Sequence, residues 1–167
     1  MASRPGPAAT PEPPHPSLGS AKVQPLMAVR FLSTAELNTL APIQCKGPIM
    51  VMPFTDLSQA TRAAHLASSR AGVTSMLLAV HDEKRQGFIA TVNQTFAATR
   101  SPWLGYMAQD ALAGRAWLAL AVRAMQDKNA GLLGFNDGKW QGQLAAFGLA
   151  ERVWAESVYS GEFFHRA

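Results

Sequence analysis

The chain has 167 residues, 48% of them hydrophobic and 16% charged, with a formal charge of +4 and a single cysteine. That length allows one sizeable core but not two full domains, and a charged share below the usual quarter leaves room for a partner, including a second copy of the chain, to bury some surface. Cys45 alone excludes an internal disulfide and a cysteine zinc cluster, the basic residues are too scattered to track a nucleic-acid backbone, and no apolar run is as long as a bilayer span. A cytoplasmic protein that binds no nucleic acid is therefore expected.

In chain order, residues 1–25 carry six prolines between Pro5 and Pro16. Such a composition offers no packable face, so a disordered tail is expected ahead of a domain over residues 26–167. Residues 28–39 read as a short helix, opened by Ser33 or Thr34 with Glu36 in its first turn. The run 48–54, PIMVMPF, is continuously apolar and reads as a strand buried on both faces. Asp56 can cap a helix over 57–70, whose Leu57, Ala60, Ala63, Ala64 and Ala67 form a narrow apolar stripe, and Gly72 can end it in a left-handed turn.

A second buried strand is expected over 74–80, with His81, Asp82 and Glu83 at its carboxyl end. A helix starting at Asn93 and running to residue 100, a strand over 103–107 and a helix over 114–127 follow. The last is expected to turn Trp117, Leu120, Ala121 and Ala124 to one side. Residues 132–135 are a strand candidate, 136–138 a turn, 144–150 an apolar run and 151–156 a helix candidate. Strands alternating with helices call for an α/β fold with a mostly parallel sheet and helices on both faces.

No GxGxxG, GxxxxGK[ST] or GxSxG motif is present, which argues against a dinucleotide fold, a Walker loop, a hydrolase elbow and a SAM-type glycine loop. His15, His65, His81 and His165 lack HxxxH and HExxH spacing. What remains is a pair of carboxylates after strands, Asp82 and Asp110, where open α/β sheets collect ligands. Each has an ordinary alternative: Asp110 as a turn or cap residue, Asn93 as a plain helix cap.

The order of these pieces resembles the family 2 glycosyltransferases of GT-A (Rossmann-like) fold, over roughly residues 49–164. IMVMPFTD at 49–56 is similar to the opening strand and turn that hold the nucleotide base, and VHDE at 80–83 to the acidic end of the second strand. ATVN at 90–93 falls where the family has an Arg-Asn pair. YMAQD at 106–110 falls on the DxD strand, with Ala108 in its first position and Asp110 in its last. The resemblance implies a nucleotide-diphosphate sugar held by Pro53, Phe54, Thr55, Asp82, Asn93 and Gln109, a divalent Mn²⁺ or Mg²⁺ on Asp110, and an acceptor side at Asp137 and Trp140. It implies inverting transfer to an acceptor hydroxyl. The family's downstream acidic motif, source of the general base, would fall beyond Ala167, so an incomplete domain is expected, and a non-catalytic GT-A-like binding or protein-interaction module is the alternative.

Overall fold

The computed structural model describes residues 26–39, 42–139 and 146–165; the tail expected over 1–25 and Trp140 lie outside the described residues. Strand β3 (Ile49–Phe54) is central, with β4 (Ser75–His81) on one side and β6 (Trp103–Tyr106) on the other, all three parallel. Their continuous apolar runs mark strands buried on both faces, and every residue of β3 except Pro53 is buried. β1 (Met27–Ser33) adds to β4 in parallel, while β8 (Gly148–Glu151) and then β7 (Leu132–Gly134) extend the other side antiparallel, giving the order β1-β4-β3-β6-β8-β7. A separate parallel pair joins β2 (Ile43–Gln44) to β5 (Thr99–Arg100).

Alternation along the strands divides the core into two layers. Met50, Met52, Leu77 and Ala79 face α2 (Leu57–Arg70) and α4 (Trp117–Lys128); Ile49, Val51, Leu78 and Val80 pack with residues of α1 (Thr34–Thr39), α3 (Phe88–Ala98) and α5 (Arg152–Val158). The fold is thus α/β, with a mostly parallel sheet covered on both faces. Helix α2 packs through Ala60, Ala63, Ala64 and Ala67, small residues that let it lie close to the sheet, whereas Leu57 in its first turn is 61% exposed. Asp56 caps it by accepting the Gln59 amide at 3.0 Å, and Gly72 follows with φ +74°. At Gly105 a Cβ would overlap the Met50 thioether and the Gly148 carbonyl, so only glycine lets β6 seat against that methionine.

Three expectations are corrected. The helix read over 28–39 is a strand up to Ser33 and a helix only from Thr34. As an outer strand with one neighbour, β1 leaves Val29 and Phe31 partly exposed and lacks the continuous burial that marks the central strands. The helix expected to start at Asn93 starts at Phe88, so Asn93 lies inside it, buried. In α4 the buried stripe is Leu118, Ala121, Val122 and Met125, and Leu120 is 61% exposed. Among the described residues no helix is long and apolar enough to cross a membrane.

Candidate functional site

The loops after adjacent strands β3 and β4 leave the sheet toward opposite faces, because β3 leads into α2 and β4 into α3. Such a divergence opens a crevice at the carboxyl ends of the strands. Here it is a cleft of about 400 Å³ lined by Pro53, Phe54, Thr55, Asp82, Arg85, Gly87, Phe88 and Gln109. Of the residues expected to hold a nucleotide, Pro53, Phe54, Thr55, Asp82 and Gln109 come together here from the ends of three strands; Asn93 does not.

Pro53 helps to open the cleft. The β6 ladder ends where Met107 donates to the Val51 carbonyl at 3.0 Å, and Pro53 has no N–H with which to continue it. Past this point a side chain takes over: the Gln109 Oε1 accepts the amides of Thr55 (2.8 Å) and Asp56 (3.1 Å). Gln109 therefore fixes the β3–α2 turn to the loop after β6. On the cleft floor the Phe54 ring stacks on His81 at 5.0 Å and meets Phe31 edge-on at 5.8 Å.

Asp82 is buried, and its carboxylate organises the loop that follows it. Oδ1 accepts the Gln86 amide at 2.9 Å and Oδ2 the Gly87 amide at 2.8 Å, while the Arg85 amide donates to the Asp82 carbonyl at 3.1 Å. Gly87, at φ +97°, then turns the chain into α3. The Gln86 side chain donates to Gln94 Oε1 at 2.8 Å, and Gln94 donates to the Thr34 carbonyl at 2.6 Å and to Asn38 Oδ1 at 2.9 Å, tying the loop to α1.

Asn93 sits on the opposite side of α3 from solvent and holds the end of the described chain. Its Oδ1 accepts the amides of Phe163 (3.2 Å) and Phe164 (2.7 Å), and its Nδ2 donates to the Phe164 carbonyl at 2.8 Å. The segment so held carries rings that back the cleft: Phe164 lies 4.9 Å from Tyr106 and 6.3 Å from Phe88, and Phe88 lies 6.0 Å from Tyr106. Burial pushes the Tyr106 hydroxyl above its ordinary pKa.

Asp110 is exposed and belongs to an adjoining pocket of about 350 Å³ with Gln59, Arg62, Ala63, Gln109 and Leu112. Asp137 is half-buried in the turn after β7, its Oδ1 accepting the Lys139 amide at 2.9 Å, and is not among the cleft residues. His165 packs edge-on to Tyr159 at 6.0 Å. Among the described residues no group of three or more His, Cys, Asp or Glu could hold a metal ion.

Sequence reading missed Arg85, Gly87 and Phe88. A helix starting at Asn93 leaves the segment before it a featureless loop, and Gly87, which occupies the N-cap of α3 with no side chain to cap it, is a weaker helix-start signal than Ser, Thr, Asp or Asn. Compared with family models, with curated proteins and with solved structures, the chain finds no match.

Proposed function

We propose that the cleft binds a nucleotide-diphosphate sugar and that the chain is a GT-A-like glycosyltransferase domain, passing the sugar to an acceptor hydroxyl with inversion. One observation carries this reading: residues selected by resemblance at three separate strand ends line a single cleft at a strand-crossover point. Phe54 and Phe88 offer apolar ring surface for a base, and the Thr55 hydroxyl offers a polar contact.

The metal implied by the resemblance does not fit the residues present. Mn²⁺ or Mg²⁺ requires several oxygen ligands. Asp110 shares its pocket with Arg62 and with no second carboxylate, and both Asp82 oxygens already accept backbone amides.

The second reading, a binding module without turnover, is favoured by the same engagement of Asp82. It is the one carboxylate among the cleft residues, and its bonds to Gln86 and Gly87 leave it poorly placed to take an acceptor's proton. Calorimetry with a panel of nucleoside diphosphates tests both. Binding is expected, and Phe88→Ala should weaken it roughly tenfold through loss of ring contact with the base. Release or transfer of sugar from a bound donor selects the transferase, binding without turnover selects the module, and no heat with any nucleotide ends both readings.

A further inference from the structure

We propose that Arg85 is the phosphate-recognition residue of the cleft and that its guanidinium, in place of a divalent cation, neutralises the diphosphate. This rests on reading the cleft as a nucleotide site. Three observations converge on it. Arg85 lines the cleft, and none of the ion pairs or side-chain hydrogen bonds found among the described residues uses its guanidinium. Its backbone sits at φ +51°, a left-handed conformation that strains any residue with a Cβ and that glycine adopts freely. Arg85 is the one cationic residue among those lining the cleft, and among the described residues no group of three or more His, Cys, Asp or Glu could hold a metal cation in its place.

Of the four non-glycine residues with positive φ among the described residues, Arg85, Ala116, Asn129 and Ser160, Arg85 is the one that lines the cleft. Arg85 is held in that conformation by bonds made by its neighbours: the Asp82 carboxylate grips the amides of Gln86 and Gly87, and the Asp82 carbonyl takes the Arg85 amide. All of these are backbone donors, available equally to glycine at position 85. An arginine there adds strain and, among the described residues, no side-chain hydrogen bond or ion pair, so what it contributes is the side chain presented to the cleft. Strained backbone of this kind concentrates at functional sites. A guanidinium fits the task because it stays charged and its planar fork can donate two bonds to one phosphate.

The test uses the full chain and calorimetry with a nucleoside and its mono- and diphosphate, each in EDTA and in Mn²⁺. Arg85→Gly should lower diphosphate affinity at least about tenfold, the usual scale for a charge-assisted bond, and leave nucleoside affinity unchanged. It should not lower the thermal midpoint, because glycine relieves the left-handed strain. EDTA should leave wild-type binding intact, and added salt should weaken it. Arg123→Gln, which removes an equal charge on α4, should change nothing. Diphosphate binding that disappears in EDTA, or that survives Arg85→Gly, overturns the role of Arg85 while leaving the nucleotide site standing. Failure of every nucleotide to bind overturns both.

Discussion

Asn93 and Arg152 show how single side chains in this molecule close long stretches of chain. Asn93 uses both ends of its amide on the backbone of Phe163 and Phe164, so Asn93→Ala strands three buried or half-buried polar groups together. A loss of about 2 kcal/mol in urea-unfolding stability is expected. Asn93→Asp should cost a similar amount, because it keeps the acceptor for the two amides but sets a carboxylate against the Phe164 carbonyl. Arg152 works in the same way. Its guanidinium donates to the carbonyls of Ser101 (3.1 Å) and Phe96 (3.2 Å) and to Thr99 Oγ1 (3.1 Å), and lies 4.0 Å over the Phe96 ring. Burial lowers its pKa, and the bond to Glu156 opposes that shift. Arg152→Met should cost about 3 kcal/mol, since the carbonyls it serves stay buried without a donor. Neither role was legible in the sequence. An Asn within TVNQTF looks like a cap because its partners lie some 70 residues away, and nothing local announces them.

At the scale of elements, the reading succeeded where one physical cause dominates. Double-sided burial made β3, β4 and β6 continuous apolar runs, and the Asp56 cap with its alanine stripe marked α2. The alanine stripe predicts that Ala63→Leu, which adds volume at a buried contact with the sheet, lowers stability by about 2 kcal/mol, measurable as a fall in the thermal midpoint. Reading failed where causes compete. In α4 the exposed Leu120 and buried Leu118 are equally apolar, and only packing against Ala71 and the sheet decides between them. At α1 the local signal was correct: the Ser33 amide donates to Glu36 Oε2 at 2.6 Å, and the Glu36 amide donates to Ser33 Oγ at 3.2 Å. The Ser33 amide, and after it the Ser33 hydroxyl, hold the Glu36 carboxyl below its ordinary 4.5. A folded pKa below the unfolded one means the contribution is present above pH 4.5 and is lost as pH falls through the folded value. Glu36→Gln should therefore flatten the acid limb of the stability profile below about pH 4.5, followed by chemical denaturation at each pH.

The whole molecule arranges its chemistry at one end of the sheet. The central parallel strands deliver Thr55, Asp82 and Gln109 to one cleft, and the α/β class alone foretold that end. What class and spacing could not supply was the state of each group there. Asp82 looks like a free carboxylate in the sequence, yet it is bound to its own loop. Asp82→Asn should keep one acceptor and lose the other, loosening the turn at Gln86 and Gly87; faster amide hydrogen exchange at those two residues would register it. Asp110→Ala, by contrast, should leave that exchange unchanged, because Asp110 belongs to the adjoining pocket.

The seat of β1 bears on how the chain assembles. β1 precedes α2 and β3 in sequence but pairs only with β4, residue for residue from Met27 against Ser75 to Ser33 against His81. It cannot dock until β3, α2 and β4 have formed the edge that receives it, and closing that long loop has an entropic cost before the pairing offsets it. During synthesis β1 therefore emerges before the strand that receives it and settles late, with Met27 and Leu32, buried once it docks, open to solvent in the interval. A β1 substitution such as Phe31→Ser should accelerate unfolding while leaving the refolding rate nearly unchanged, as expected of contacts that form after the rate-limiting barrier.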